Sequence, residues 1–204
     1  MSIFNMSTKV KKSPPVPPQT NFVKILHGLI IISLFLMMSS GLQIYNATPV
    51  FGGKSGWRFP EWATLGGWLA GGIDWHFTTM WVFGFTLLIY GIYIFLTQRW
   101  KRKFVSEQDL KVLKVGQNPK RRTYAWHRIL YTGIIPVLLM AIVSGLAMYK
   151  SAQFHWLSGL FINWQILRTV HFLTVPISLL FFLLHIIMGI RAGGLRLTRS
   201  MFQP

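Results

Sequence analysis

The sequence predicts an all-α integral membrane protein, a bundle of four transmembrane helices with both chain termini in the cytoplasm. Three observations carry this. Of 204 residues, 52% are hydrophobic and only 12% charged, with a mean hydropathy of +0.44, whereas a soluble domain carries about a quarter charged residues. Four segments each supply the roughly 20 predominantly apolar residues needed to cross about 30 Å of hydrocarbon. The basic residues gather on one side of those segments, as membrane topology requires.

Taken in order, residues 1–21 form a leader whose Pro14, Pro15, Pro17 and Pro18 favour an extended or flexible chain. A single membrane domain follows over residues 22–202. Its first span, residues 22–45, follows Lys9, Lys11 and Lys12 and so invites a reading as a signal peptide. The apolar run is long for that role and no small-x-small cleavage site follows, so it is expected to stay as an anchor. Residues 46–74 form a loop rich in Gly and Trp, in which residues 60–70 suit an interfacial helix with Trp57, Trp62 and Trp68 at headgroup depth. The second span is residues 75–96. A basic loop leads to the third, residues 129–149. A further aromatic loop over residues 154–167, with Trp156, Phe161 and Trp164, leads to the fourth, residues 169–190. These two loops suit a docking surface for a partner as well as an aromatic belt.

Seventeen basic residues fall on one side: Lys24 and the leader lysines, the run from Arg99 to Arg128, and Arg191, Arg196 and Arg199. Lys54, Arg58, Lys150 and Arg168 alone fall on the other. The first side is therefore expected to be cytoplasmic, in a bacterial inner membrane. A net charge of +17 on a soluble chain would suggest nucleic acid. Here it is topology, no nucleic-acid-binding signature accompanies it, and no nucleic-acid partner is expected. Cysteine is absent, which excludes disulfides, thiolate metal sites and covalently attached heme. Any cofactor must be held by histidine, methionine or oxygen.

Six histidines remain: His27, His76, His127, His155, His171 and His185. An ionisable side chain inside a span is costly and marks a candidate site. His171 and His185 are fourteen residues apart, about 40° short of four full turns and about 21 Å along the axis. One ring thus stands near each membrane surface on nearly one helix face. With the topology above, His76 shares the outer depth of His171, and His27 shares the inner depth of His185. Bis-histidine ligation of two stacked hemes accounts for all four. Gly41 and Gly91 fall at heme depth on the ligand faces of their helices, where a missing side chain leaves room for a porphyrin or for close helix packing. His127 opens the third span at inner depth, where an interfacial role is favoured over heme ligation or quinone binding. His155 lies in an outer loop and is not expected to be a ligand.

The chain resembles the bacterial diheme cytochrome b family, the four-helix quinone-linked subunits of nickel–iron hydrogenases, formate dehydrogenases and thiosulfate reductases. The resemblance covers residues 22–202. Within that family it is most similar to thiosulfate-reductase-like cytochromes paired with a molybdenum oxidoreductase. It is carried by Ser40-Gly41-Leu42-Gln43-Ile44-Tyr45-Asn46, Trp62-Ala63-Thr64-Leu65, Trp75-His76-Phe77, Ser144-Gly145-Leu146-Ala147-Met148, Arg168-Thr169-Val170-His171-Phe172 and Leu184-His185-Ile186-Ile187-Met188. Where relatives tend to carry glutamine near the start of the third helix, this chain has His127. The resemblance implies two b hemes ligated by His27, His76, His171 and His185, and electron relay between quinone and a periplasmic oxidoreductase subunit, possibly one containing molybdopterin. A quinone pocket near the inner heme is a further expectation. Lys24, Arg128, Arg191 and Arg196 lie where inner-heme propionates would emerge, and are equally explained as topology-setting charges. Three competing functions are a heme-free anchor, a stand-alone quinol- or superoxide-reacting cytochrome, and a metal transporter. Transport normally uses acids within spans, and Glu61, Asp74, Glu107 and Asp109 all lie outside mid-helix.

Overall fold

A computed structural model describes residues 20–116 and 118–200. Most of the leader, with Lys9, Lys11 and Lys12, and the side chains of Arg196 and Arg199 lie outside the described residues. Among the described residues seven α-helices run in order: α1 (Asn21–Ala47), α2 (Leu69–Leu96), α3 (Trp100–Lys103), α4 (Glu107–Val115), α5 (Pro119–Tyr149), α6 (His155–Ser158) and α7 (Trp164–Ser200). No strand occurs among the described residues. Helices α1, α2, α5 and α7 are each long and apolar enough to cross a membrane. Only 11–22% of each apolar window is buried inside the protein, so most of their apolar surface is left for lipid or for space between the helices. This is an all-α membrane bundle.

Local sequence sets the ends. Helix α1 stops at Ala47 because Thr48 precedes Pro49 and cannot stay helical; it takes φ −141°, ψ 82°. Helix α5 starts ten residues before the apolar run does, because Asn118 caps the N–H groups of Lys120 and Arg121 at 3.0 and 3.4 Å and Pro119 occupies the first turn. At about 1.5 Å per residue its 31 residues span about 46 Å, so Arg121 and Arg122 extend past the hydrocarbon. The expected interfacial helix over residues 60–70 does not form. A single 3-10 turn covers Glu61–Ala63, and Gly66 and Gly67 take φ +113° and +70°, left-handed values that break the chain before α2 begins at Leu69. Trp57 and Trp62 are nonetheless exposed. Asn46 brackets Phe59, its amide nitrogen donating to the Phe59 carbonyl and its amide oxygen accepting from the Phe59 N–H, both at 2.8 Å, which orders this loop over the helix ends.

The bundle consists of two helix pairs. Helix α1 packs closely on α2, and α5 on α7. Between the pairs, long side chains bridge the space: Phe35 meets Phe182 with ring centroids 5.1 Å apart, and Tyr45 meets Phe172 and Phe77 meets Tyr149 at 4.6 Å. One end of the bundle carries the tryptophan-rich loops and is called the aromatic end; the other carries α3 and α4 and is called the basic end.

At the basic end α4 is fastened to α5. Ser106 and Asp109 form a capping box, and the Arg128 guanidinium reaches the same carboxylate at 3.1 Å. Burial pushes the Asp109 carboxyl up, but hydrogen bonds from Ser106 and the charge of Arg128 outweigh it and hold it below the usual carboxylate range. A carboxylate depressed in this way stabilises the fold above its unfolded pKa and ceases to do so as pH falls through its folded value. Asp109→Ala is expected to cost about 1 kcal/mol of local stability, a roughly fivefold faster limited proteolysis between residues 97 and 118. In the wild type the same acceleration is expected only once pH drops below the ordinary carboxylate range.

Candidate functional site

Near the aromatic end His76 on α2 and His171 on α7 face each other across the gap, ring centroids 6.1 Å apart and planes 80° apart. Each imidazole is held from behind by the other helix of its own pair. His76 Nδ1 lies 3.0 Å from the Met37 carbonyl and 3.2 Å from Ser40 Oγ, both on α1. His171 Nδ1 lies 2.9 Å from Ser144 Oγ on α5, whose hydrogen already goes to the Met140 carbonyl, so that oxygen accepts as a carbonyl does. A carbonyl only accepts, so each Nδ1 carries the proton and each Nε2 keeps a lone pair. That is the tautomer a metal-ligating histidine needs, fixed by its outer hydrogen bond. The serines spend their own hydrogens on the helix, on Leu36 O at 2.7 Å and Met140 O at 2.6 Å.

The rings border a cavity of about 690 Å³ lined by Gly41, Gly84, Gly145, Phe77, Tyr149 and Phe172 among other residues. Two imidazoles bound to one metal ion at about 2.0–2.1 Å place their centroids about 6 Å apart. The 6.1 Å separation, the two free Nε2 atoms and the apolar cavity fit heme iron with two axial histidines. Gly41 both lines this cavity and adjoins a histidine ring. A Cβ there would meet His76 Cε1 at 3.4 Å, and one at Gly145 would meet His171 Cε1 at 3.1 Å. These glycines make room first for the ligand rings. Gly91 faces open space.

The two halves repeat one another. Ser-Gly-Leu-x-x-Tyr occurs at residues 40–45 and 144–149, and His-Phe-x-Thr at 76–79 and 171–174. The contacts repeat as well: Tyr45 on Phe172 and Tyr149 on Phe77, and Thr79 and Thr174 each donating to the carbonyl of its histidine. Sequence reasoning named these residues one at a time and missed Ser40 and Ser144 as histidine supports. The signal was the duplicated hexapeptide.

At the basic end the histidines gather differently. His185 on α7 has the His127 ring of α5 against it, centroids 4.8 Å apart and planes 33° apart. His27, on the first turns of α1, lies at the same end of the bundle. His127, expected at the interface, is thus brought into the bundle. At 4.8 Å the two rings are closer than the roughly 6 Å of imidazoles on opposite sides of one metal ion. Lys103, Tyr90 and Tyr131 adjoin this cluster; Lys103 Nζ donates to Tyr90 Oη at 3.1 Å, and the two phenol oxygens are 3.1 Å apart. Of the expected propionate partners, Arg128 is engaged by Asp109 and Arg191 is exposed. His155 is exposed on α6.

A bundle whose interior is a histidine-faced cavity between helix pairs defines a membrane cytochrome of the b type. Comparison with known proteins agrees. The chain matches the family described as prokaryotic cytochrome b561 over residues 18–204. It is also 30% identical over 176 residues, 82% of this chain and 87% of the relative, to YedZ1 of Azospira oryzae, which carries the provisional name of a protein-methionine-sulfoxide reductase subunit. No solved structure matches it significantly. The chain belongs to the prokaryotic cytochrome b561 family: it is a bacterial multi-pass membrane cytochrome that binds heme b and carries electrons.

The glycine contacts give an ordered prediction. Gly145→Ala forces the His171 ring to shift by a few tenths of an ångström and is expected to lower heme content per chain. Gly41→Ala adds an ordinary contact and leaves it near wild type. Hemochrome assays on purified variants check the order.

Proposed function

We propose that this protein is a diheme cytochrome b subunit of the bacterial inner membrane, relaying electrons between the quinone pool and a periplasmic oxidoreductase of the molybdopterin-containing kind. The observation that carries the reading is the His76–His171 arrangement: opposed rings at 6.1 Å, each with Nδ1 tied back and Nε2 free, across a porphyrin-sized apolar cavity. The second pair in this reading is His27 with His185, with His127 packed on His185 as a supporting ring. The fourteen-residue spacing of His171 and His185 separates the two sites by about 21 Å along α7, one near each surface. Heme iron supplies the electron carrier, cycling between ferrous and ferric forms. The protein's part is to orient the imidazoles, exclude water and set the surrounding field.

The positive charge of α3, α4 and the start of α5 supports a cytoplasmic basic end, which puts the aromatic end in the periplasm. There the loops leave Trp57, Trp62, Trp156 and Trp164 exposed. Three of the four basic residues expected on that side, Lys54, Arg58 and Arg168, line a pocket of about 390 Å³, and Arg168 also borders the histidine cavity. An aromatic surface with a cationic centre beside an electron carrier suits a docked redox protein with an acidic face. The name of the Azospira relative, a reductase subunit, supports an oxidoreductase as that partner. Quinol is expected to meet the chain at the basic end, near His27 and His185.

Pyridine hemochrome assays on the detergent-purified protein are expected to give two b hemes per chain. His76→Ala and His171→Ala should each remove the same one, and His27→Ala and His185→Ala the other. His127→Ala should retain both. One heme per wild-type chain would overturn the diheme reading, and loss of a heme with His127→Ala but not with His27→Ala would reassign the second pair. Loss of quinol-dependent heme reduction only on changes at the aromatic end would move the quinone site there.

A further inference from the structure

We propose that Tyr90, Tyr131 and Lys103 form the binding site for the oxygen-bearing ring of the quinone, with a phenol hydrogen of the tyrosine pair donated to a head-group oxygen. The inference rests on the quinol-linked reading above and assigns residues to it.

The internal repeat brings these residues into view. Shifting α1 onto α5 by 104 positions superposes Ser40, Gly41 and Tyr45 on Ser144, Gly145 and Tyr149. Shifting α2 onto α7 by 95 superposes His76, Phe77 and Thr79 on His171, Phe172 and Thr174. Under the same shifts His27 falls on Tyr131, and Tyr90 falls on His185. The bundle therefore holds two equivalent positions at its basic end. One carries His27 and His185. The other carries Tyr131 and Tyr90, whose hydroxyls are 3.1 Å apart. At the aromatic end both halves carry histidine; at the basic end each half carries one histidine and one tyrosine, so the two histidines share one position and the two phenols the other.

The hydrogen-bond directions say what this second position can hold. An ammonium group only donates, so Tyr90 Oη accepts from Lys103 Nζ at 3.1 Å. The Tyr90–Tyr131 bond uses one of the two phenol hydrogens, whichever way it runs. The other is left, and among the described residues no further acceptor meets either hydroxyl. The site is thus short of an acceptor, and a ligand carbonyl or hydroxyl oxygen supplies one. Lys103 also lies over both rings, 5.7 Å from the Tyr90 centroid and 5.4 Å from that of Tyr131. Its charge polarises the phenols toward donation. The lysine is held in place because the chain just beyond it is pinned, Val105 N–H donating to Thr132 Oγ1 at 2.9 Å and Phe104 lying 6.0 Å from the Tyr131 ring.

Two phenols that merely satisfied one another in lipid would not need a cation drawn onto them, and polar groups at such depth are expected to be functional. Position completes the argument. Tyr131 lies one turn beyond His127 on α5, and the His127 ring packs on His185, so an oxygen bound here sits beside the histidines assigned to the second heme. The ligand class is a planar apolar ring bearing oxygens that arrives from lipid, which is the chemistry of a quinone.

The test uses purified holoprotein, soluble benzoquinol and naphthoquinol analogues, and a quinone 13C-labelled at its carbonyls. Tyr131→Phe and Tyr90→Phe are each expected to raise the KM for quinol-driven heme reduction about tenfold, the equivalent of one hydrogen bond. Lys103→Met should act in the same direction, and heme content and dithionite-reduced spectra should stay unchanged. In the infrared difference spectrum the labelled carbonyl band of the wild type should be lowered by hydrogen bonding and should return toward its free frequency in Tyr131→Phe. A wild-type band already at the free frequency, or a KM untouched in both phenylalanine variants, would overturn the proposal while leaving the diheme relay standing. A wild-type protein carrying both hemes that no quinol reduces would overturn the quinol reading together with it.

Discussion

The structure depends on one hydrogen-bonding constraint. An imidazole held in a membrane must place both ring nitrogens, because an unpaired polar atom in hydrocarbon costs several kcal/mol. A helix has already used its backbone groups internally. Here the constraint is met from a neighbouring helix, by the Met37 carbonyl and Ser40 for His76 and by Ser144 for His171. A glycine one residue further on lets the ring lie against that helix. The arrangement demands that α1 approach α2 closely and α5 approach α7 closely, and these are the pairs that pack. The rings then have only one direction in which to present Nε2, into the space between the pairs. Cavity, ligand geometry and helix pairing are one solution to one problem.

That solution is symmetric at one end of the bundle and asymmetric at the other. His76 and His171 are equivalent by the internal repeat, so in the proposed reading both halves would hold one heme in the same way. At the basic end the equivalent positions differ, histidines in one and phenols in the other, and a cation from α3 is added to the phenol side. Symmetry is retained where, in the proposed reading, one cofactor would be held equally by both halves. It is broken at the end where, in the proposed reading, an electron carrier and an organic donor must sit side by side, since two like sites would not distinguish them.

The spans were legible because lipid leaves no alternative to long apolar helices, and the pairing of His76 with His171 was legible because helix direction and the depth of a residue follow from topology. Helix starts were less so. The apolar run over residues 129–149 says nothing of Asn118 and Pro119, which set the start of α5 by capping ten residues earlier. The predicted interfacial helix failed because the helix-compatible residues around it are outweighed by two adjacent left-handed glycines. The contact of His127 with His185 was not legible, because depth is set by position along a helix, whereas direction depends on how α5 rotates against α7. That rotation follows from side-chain packing and is invisible to periodicity alone.

The same rotation bears on why the third histidine is there. A ring at 4.8 Å and 33° from His185 is in stacking contact, so it limits the orientations His185 can take. His171 is oriented by a serine on α5. His185 has its α5 neighbour His127 in the corresponding place, because the Ser-Gly pair of the aromatic end has no copy at this depth. Helix α5 therefore supports both histidines of α7, at one end through a hydrogen bond and at the other through a ring face. Aromatic contact fixes a plane less strictly than a hydrogen bond fixes a nitrogen. In the proposed reading the basic end would exchange electrons with a diffusing molecule, which has more use for such freedom than the docked protein the aromatic end would face.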